Sequence, residues 1–197
     1  MPWLEPVTLS GAHAQLNPLS HDHIAGLTEA VKDGELWKLW YTFIPRAEDM
    51  RKEIDRRLGL QGAGSMLPFT VVDAGGKIAG MTTYMNVDAP NRRVEIGSTW
   101  YAKRVQRSAL NTQCKLLLLG HAFEKLDCIA VEFRTHFFNY QSRRGIERLG
   151  AKLDGILRNH QLASNGTLRD TVVYSIIASE WPTVKAHLNY QLNEKPR

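Results

Sequence analysis

The amino-acid sequence predicts an α+β fold in which most strands are antiparallel and one strand–helix–strand unit adds a parallel pair. Two stretches with period-2 alternation each surround a hairpin signal, Gly75-Gly76 and Asn165-Gly166. Between them, residues 94–135 have the pattern of a strand, a polar turn, an apolar helix and a second strand, which indicates a crossover between parallel neighbours. The 197 residues, 43% of them hydrophobic, suffice for one domain over residues 1–197.

The first third of the chain is predicted to hold one strand and two helices. We expect a strand over residues 7–16. A helix then starts at residues 20–23, where Ser, His, Asp and His precede apolar residues at helical spacing. An aromatic segment at 36–41 follows, then a charged helix over 47–58 and a loop over 59–65.

The remaining two thirds carry the predicted sheet. Strands over 67–73 and 77–88 flank the first hairpin. In the next strand, 92–102, alternation predicts that Val94, Ile96 and Trp100 face one way and Glu95, Gly97 and Thr99 the other. The later elements are a helix to about residue 126, a strand over 128–135, a helix over 139–149, strands over 151–162 and 168–179, and a last helix opened by Pro182.

Composition narrows the class of protein. The net charge of +5 favours an anionic partner, but the charge is dispersed, which suits a small phosphorylated ligand as well as a nucleic acid. The Arg-rich stretches are short and interrupted by acidic residues, so a basic RNA- or ribosome-binding protein without catalysis is only the alternative. No leader-like start and no long apolar span is visible, so we expect a soluble, cytoplasmic protein without membrane contact.

The cysteines and the paired histidines predict neither a disulfide nor a metal site. Cys114 and Cys128 lie in apolar runs, where we expect buried free thiols. His21 and His23 have the spacing of metal ligands, but no third ligand is visible. We interpret them as exposed histidines around a helix cap.

The turn after the 92–102 strand is the candidate ligand site. A helix begins there at the carboxyl ends of two parallel strands, and the backbone N–H groups of residues 106–111 are the unpaired donors that favour a diphosphate. Arg104 and Arg107 add positive charge. The residues alone are equally compatible with a plain connection in which Asn111 caps the helix.

At these residues the sequence resembles the GNAT superfamily of acyl-CoA-dependent N-acyltransferases, and within it the RimJ/RimL-like branch, which is similar to enzymes that acetylate the N-termini of ribosomal proteins. The coenzyme turn of the family, (Gln/Arg)-x-x-Gly-x-(Gly/Ala), falls on residues 106–111, where Ala109 and Asn111 replace the glycines. A cradle of backbone N–H groups does not require glycine, since alanine adds one methyl group and asparagine tolerates positive φ. Four more motifs match in order over nearly the whole chain: Arg93-Val94-Glu95-Ile96-Gly97, Asn139-x-x-Ser142, Arg148-Leu149-Gly150-Ala151, and Asn165-Gly166 with Arg169-Asp170 before Val173-Tyr174-Ser175-Ile176.

The resemblance implies an N-acetyltransferase that moves an acetyl group from acetyl-CoA to a primary amine by direct attack, without a metal. It also implies helices on both faces of the sheet and a splayed parallel pair, with the pantetheine arm in the gap. The residues expected to contact coenzyme A are Thr99, Trp100, Tyr101, Gln106, Arg107, Ser108, Ala109, Leu110, Asn111, Asn139 and Ser142.

Glu95 is the candidate general base, acting through water, because the resemblance places its strand beside the thioester. A carboxylate–water pair can deprotonate an α-amine, whose free pKa is near 8. The alternative is a surface salt bridge from Glu95 to Arg92 or Arg93. The oxyanion donor implied by the resemblance is a backbone N–H near Trp100.

Ser142 is the candidate for the leaving side, where its hydroxyl would donate to the thiolate. Helix capping is the alternative for Ser142 and also for Asn139. The hydroxyl of neighbouring Tyr140 is a second candidate donor to the thiolate. His160 is predicted on a strand, where a structural role is favoured over catalysis.

The acceptor is implied only as a class. The resemblance implies the N-terminal amine of a peptide or protein, with small amines still open. The aromatic segment at 37–41 either builds the acceptor wall or covers the core. A coenzyme A-binding protein without catalysis and a homodimer also stay open.

Overall fold

A computed structural model describes residues 3–163 and 165–194. In these residues the chain forms five α-helices and one mixed sheet of eight strands, in the order β1-β2-β3-β4-β5-β6-β8-β7. Every neighbouring pair is antiparallel except β5 and β6. The predicted α+β class is therefore confirmed.

The strand predicted over residues 7–16 is wrong as a single element. It is a short hairpin of β1 (Leu9–Ser10) and β2 (Ala14–Pro18). The chain reverses at Gly11, whose N–H donates to the carbonyl of Ala14 at 3.0 Å. The apolar positions change from odd numbers before the turn to even numbers after it, a shift of phase that the prediction of one strand overlooked.

The two N-terminal helices are α1 (Ile24–Lys32) and α2 (Met50–Gly62), each preceded by a 3-10 turn. The loop predicted over 59–65 is wrong in its first half, because α2 continues through Gly59. The chain leaves the helix at Gly64, which has a φ of +74°, and the N–H of Ser65 bonds back to the carbonyl of Leu60. Gly64 therefore supplies the left-handed conformation at the helix end.

Strands β3 (Met66–Asp73) and β4 (Ile78–Asp88) form the predicted hairpin around Gly75-Gly76. The carboxylate of Asp73 accepts hydrogen bonds from the N–H groups of Gly75 and Lys77, both at 2.9 Å. Gly76 has a φ of +78°, which explains the glycine at that position.

Strand β5 (Arg93–Tyr101) contains a bulge at Ser98, called the Ser98 bulge below. Thr83 of β4 pairs with Gly97 while Met81 pairs with Trp100, so β5 has one extra residue there. The prediction that Val94, Ile96 and Trp100 share a face is wrong for this reason. Trp100 packs with α1 and α2, whereas Val94 and Ile96 pack in the core on the other side of the sheet.

The crossover unit is formed as predicted by β5, α3 (Leu110–Glu124) and β6 (Ala130–His136). Parallel pairing between β5 and β6 is limited to three residue pairs, Arg93–Glu95 with Ala130–Glu132. Beyond them the two strands diverge. The predicted splayed pair is therefore confirmed, and we call the gap between β5 and β6 the wedge.

The C-terminal part comprises α4 (Tyr140–Glu147), β7 (Lys152–Leu162), β8 (Leu168–Ile177) and α5 (Trp181–Asn193). The turn at Asn165-Gly166 joins β7 and β8 as predicted, and Pro182 lies in the first turn of α5. Leu118, Ile146 and Leu188, from α3, α4 and α5, share one core, while α1 and α2 cover the opposite face. Helices on both faces are therefore confirmed.

The side chains outside the candidate site agree in part with the sequence analysis. Cys114 and Cys128 are free and buried as predicted, and burial raises the pKa of each thiol to about 12. His21 pairs with Asp55, whereas the half-buried His23 lies 2.8 Å from the hydroxyl of Thr70.

Across residues 3–163 and 165–194, no three His, Cys, Asp or Glu side chains gather as a metal site requires. None of the described helices has the length and apolarity needed to span a bilayer.

Candidate active site

The turn between β5 and α3 presents backbone N–H groups that have no partner in the described residues. A 3-10 turn, Lys103–Val105, leads into Arg107, Ser108 and Ala109, whose N–H groups donate to no described acceptor. The hydrogen-bond ladder of α3 begins only with the N–H of Gln113, 2.9 Å from the carbonyl of Ala109. The N–H groups of Arg107, Ser108, Ala109 and Asn111 are thus available to an anion, with the helix dipole behind them.

The conformation of this turn corrects two expectations. Positive φ falls on Arg107, at +60°, and not on either residue that replaces a family glycine. Ala109 has an ordinary φ of −67°, and Asn111 lies within α3, so Asn111 does not cap the helix. The hydroxyl of Ser108 instead accepts from the N–H of Leu110 at 3.3 Å. The turn therefore needs no glycine at positions 109 and 111.

Two predicted groups are occupied within the protein. The N–H of Gln106 donates to the carbonyl of Lys103 at 3.1 Å, so the free donors begin at Arg107. The side-chain amide of Gln106 donates to the carbonyl of Tyr101 at 3.0 Å and so ties the turn to the end of β5. Arg104 forms an ion pair with Asp73, whereas Lys103 and Arg107 form no such pair in the described residues.

A cavity of about 280 Å³ lies beside the turn. It separates the turn from the hairpin that joins β3 and β4. Its lining residues are His13, Asp73, Ala74, Gly75, Val105, Ser108, Ala109 and Leu110. The turn is therefore bordered by open space and not by packed core.

The wedge leaves one edge of β5 without a strand partner beyond Glu95. In the described residues, Trp100 and Tyr101 pair with β4, and none of residues 99–101 pairs with β6. The side chain of Trp100 is buried among α1 and α2, and the hydroxyl of Thr99 lies 2.8 Å from that of Thr82. An extended ligand in the wedge would therefore meet the backbone of β5, as the sequence analysis expected for these three residues.

Glu95 is buried on the face of the sheet opposite Val94 and Ile96, as predicted. Its carboxylate accepts from the amide of Asn86 at 2.7 Å and lies 3.6 Å from the guanidinium of Arg134. Burial raises the pKa of Glu95 above its ordinary 4.5, and these two neighbours offset the shift only in part. A partly desolvated carboxylate with a raised pKa is a suitable proton acceptor.

The surface salt bridge considered for Glu95 is wrong. Arg92 pairs with Asp127 and Arg93 pairs with Glu132, so neither cation neutralises Glu95. Arg134 was not foreseen as its partner, because Arg134 lies on β6 and meets Glu95 only through the parallel pairing.

Helix α4 places Asn139 and Ser142 just beyond the carboxyl end of β6. The side-chain oxygen of Asn139 accepts from the N–H of Ser142 at 3.0 Å, so Asn139 does cap the helix. Its amide nitrogen and the hydroxyl of Ser142 have no partner in the described chain. Tyr140 is half exposed and packs against Phe138. Because Asn139 caps the helix with its side-chain oxygen, its side-chain amide N–H groups are available to a ligand.

The aromatic segment divides between core and surface. Trp37 packs against the core of α1 and α2, whereas Trp40 is 53% exposed. The ring of Trp40 lies 5.2 Å from the ring of His136 and 6.0 Å from that of Phe138. The first half of the segment therefore covers the core, and the acceptor wall stays a prediction for the exposed Trp40.

His136 was not singled out by the sequence analysis. It ends β6 on the same face as Arg134, and burial lowers its pKa. Its Nδ1 accepts from the N–H of Phe138 at 3.1 Å, and its buried Nε2 has no partner in the described chain. A cavity of about 400 Å³ adjoins it, lined by His136, Phe137, Phe138, Ile156, Arg158, Asn159, Leu168 and Asp170. A histidine within a strand carries no motif that would have identified it.

His160 lies on the exposed strand β7, with its Nδ1 3.1 Å from the hydroxyl of Thr171. Thr171 pairs with His136 across β6 and β8, which places His160 on the outer side of this region. This arrangement agrees with the structural role favoured by the sequence.

Comparisons with known proteins agree with the sequence resemblance. The family described as acetyltransferase (GNAT) domain matches residues 14–152. A candidate acetyltransferase from T. thermophilus is 32% identical, with a TM-score of 0.84 over 96% of this chain and 99% of that one. A GCN5-related N-acetyltransferase from Brucella melitensis is 29% identical, with a TM-score of 0.87 over 98% of this chain and 88% of that one.

A curated relative agrees with the predicted branch. YdaF of Bacillus subtilis, named as a candidate ribosomal N-acetyltransferase, is 35% identical over 106 residues. The match covers 54% of this chain and 57% of YdaF, so it spans little more than half of that relative. The predicted resemblance is confirmed at the level of the family, whose members use acetyl-CoA as the acyl donor.

Proposed function

The chain belongs to the acetyltransferase (GNAT) family, and we propose that it transfers an acetyl group from acetyl-CoA to the N-terminal amine of a peptide or protein. One observation carries the proposal. The free edge of β5 in the wedge ends at the turn whose N–H groups at Arg107, Ser108 and Ala109 are unbonded in the described chain. A ligand with an extended arm and a diphosphate fits this combination, because the arm can bond along the edge and the diphosphate can meet the donors.

The coenzyme would be held mainly by backbone. The pyrophosphate would meet the N–H groups of Arg107, Ser108, Ala109 and Asn111, and the Arg107 guanidinium adds one exposed positive charge. The pantetheine arm bonds to β5 between Thr99 and Tyr101. On the other side of the wedge, the Asn139 amide donates to the arm. The ordinary φ of Ala109 supports this assignment, since no glycine is required there.

Glu95 would act as the base. The acceptor amine loses a proton, through water, to the Glu95 carboxylate, and its lone pair attacks the thioester carbonyl carbon. The oxyanion is stabilised by a backbone N–H near Trp100. The carbonyl then re-forms as the C–S bond breaks and its electron pair leaves with the sulfur. The second proton lost by the attacking nitrogen passes through water to this thiolate, to which Ser142 donates a hydrogen bond. The raised pKa of Glu95 supports this role, because it brings the carboxylate nearer the pKa of an α-amine.

The acceptor is assigned as a class. A protein acceptor is supported by the name of YdaF, a candidate ribosomal N-acetyltransferase, and by the aromatic surface of Trp40 and Phe138, beside which a peptide side chain could pack. Glu95, Arg134 and His136 share the face of the sheet that Trp40 borders, so the acceptor would approach from that face. The homodimer left open by the sequence stays a prediction.

The experiment compares Glu95→Gln and Ser142→Ala. Acceptor-dependent thiol release from acetyl-CoA is measured from pH 6 to 9 with a mixture of peptides that have free N-termini. We expect both variants to lose about 10²–10⁴ in kcat and to keep the Kd for coenzyme A within a few-fold. Raising the pH supplies more free amine, so it should partly restore Glu95→Gln but not Ser142→Ala.

The controls are two substitutions of the same kind at exposed positions. Glu48→Gln and Ser179→Ala lie away from the wedge and should match the wild type. If Glu95→Gln and Ser142→Ala also matched it across the pH range, the side chains would be structural. Coenzyme binding without turnover by the wild type would instead identify a coenzyme A-binding protein.

A further inference from the structure

A buried arginine of α2 contacts the Ser98 bulge directly. The side chain of Arg57 is only 3% exposed. Its Nη2 donates to the carbonyl of Ser98 at 3.2 Å, and its Nη1 donates to the hydroxyl of Thr83 at 2.6 Å. The Arg57 guanidinium thus joins α2 to both strands at the point where the pairing register of β4 with β5 changes.

Glu53 holds this guanidinium in place. The Nε of Arg57 donates to the carboxylate of Glu53 at 2.7 Å, and both side chains are 3% exposed. Although burial opposes ionisation, hydrogen bonds and charge from Arg56 and Arg57 keep the pKa of Glu53 below its ordinary value. Glu53 is therefore an anion, and its hydrogen bond to Nε fixes the orientation of the Arg57 guanidinium.

The bulge is a strained feature that needs support. Ser98 has a φ of +48°, a conformation that is sterically unfavourable for a residue with a Cβ. No glycine relieves it, although Gly97 is adjacent. A carbonyl hydrogen-bonded to a guanidinium is a direct means of holding the peptide in this orientation.

The bulge decides how the wedge edge of β5 is presented. Because it adds one residue, it reverses the alternation after Gly97 and turns Trp100 into the core of α1 and α2. The backbone N–H near Trp100, which the proposed mechanism uses for the oxyanion, therefore depends on the bulge for its position.

We propose that Arg57, held by Glu53, is a positioning residue that fixes the Ser98 bulge so that the β5 backbone stabilises the oxyanion of the acetyl transfer. This inference rests on the proposed function. A buried ion pair contributes little net stability compared with apolar residues of similar volume, whereas its fixed hydrogen bonds determine local geometry. The role of Arg57 is thus separable from the stability of the fold.

The matched control is Arg56. It bonds to the same carboxylate of Glu53 at 2.8 Å, but it is half exposed and does not contact the bulge. The variants are Arg57→Met, Arg56→Met and the double variant Glu53→Leu/Arg57→Met, in which no buried charge is left unpaired. Melting temperature, kcat, KM for acetyl-CoA and the Kd for coenzyme A are measured for each.

We expect Arg57→Met and the double variant to lose about 10²-fold in kcat, the scale of a small misplacement of a reacting group. Their Kd for coenzyme A should stay within threefold. The double variant should regain the melting temperature that Arg57→Met loses, while its kcat stays low. A double variant with kcat within threefold of the wild type would overturn the proposal, and so would an equal loss in Arg56→Met.

Amide hydrogen exchange tests the positioning without turnover. The amides of residues 97–100 should exchange at least about tenfold faster in Arg57→Met than in Arg56→Met. Unchanged exchange would overturn the positioning role. A failure of the proposed function would be distinguishable, because the wild type itself would then acetylate no peptide.

Discussion

Replacing buried Lys115 with methionine should change how the stability of the fold depends on pH. Lys115 lies on α3 and donates to the hydroxyls of Thr99 at 3.1 Å and Thr82 at 3.3 Å. No described carboxylate forms a salt bridge with it. Burial therefore lowers its pKa from an ordinary 10.5 to about 8. The two threonine hydroxyls also bond to each other at 2.8 Å, so methionine would leave neither without a partner.

The size of the expected change in folding stability follows from the linkage between protonation and folding. A pKa lowered from 10.5 to about 8 means that the charged form costs the fold about 3 kcal/mol. Between these two values the unfolded chain still holds a proton that the folded chain has released, so raising the pH stabilises the fold. The full penalty is present below pH 8. We therefore expect Lys115→Met to be more stable than the wild type at pH 7, by up to about 3 kcal/mol, less any loss of packing.

The assay is urea unfolding of both proteins at pH 7 and pH 10, followed by tryptophan fluorescence. The buried Cys114 thiol and Tyr101 phenol, whose pKa values burial raises, destabilise the fold as the pH rises. Tyr101 is present in both proteins, so its effect cancels in the difference. The charge of Lys115 lowers the pKa of Cys114, so the effect of Cys114 cancels only in part. The stability difference between wild type and variant should change by about 2–3 kcal/mol over this range. A difference that is constant within about 0.5 kcal/mol would refute the reasoning, because Lys115 would then titrate normally.

Two further predictions concern the backbone. Gly80→Ala should destabilise the fold by about 3–5 kcal/mol, because its φ is +153° and its Cβ would lie 2.1 Å from the carbonyl oxygen of Trp100. Gly64→Ala is the control, because Gly64 has a φ of +74° but no atom lies within 4 Å of its added Cβ. It should lower the free energy of unfolding by only about 1 kcal/mol. Equal melting temperatures of the two variants would contradict the steric argument. Ala109→Pro should leave the melting temperature nearly unchanged, since its φ of −67° suits proline and its N–H bonds to no described group. In calorimetry it should weaken coenzyme A binding by about 10–100-fold, while Ala109→Gly keeps the donor and stays within threefold. Unweakened binding by a folded Ala109→Pro would place the diphosphate elsewhere.

Local sequence patterns predicted most of the elements in their order, except the β1–β2 hairpin, and they led to the proposed place of the site. Hairpin signals at Gly75-Gly76 and Asn165-Gly166 fixed two turns, because turn conformations depend on the residues within them. The strand–turn–helix–strand pattern from Val94 onward predicted the parallel pair, since a crossover of that length permits only one arrangement. It also placed the free N–H groups at the start of α3, because the end of a helix leaves donors unpaired whatever the side chains are.

The tertiary structure decided which faces and partners these elements have. The Ser98 bulge is the point at which β4 and β5 pair out of step, and Arg57, 41 residues earlier in the chain, bonds to its carbonyl. Burial of Lys115 and the contact of Arg134 with Glu95 likewise depend on packing between distant elements. Spacing along the chain encodes periodicity, whereas these contacts depend on how strands and helices meet in space, so no local pattern contains them. The sequence by itself therefore pointed to the region proposed to hold the coenzyme, and only the tertiary structure decided which side chains contact the backbone there and shift the pKa values around it.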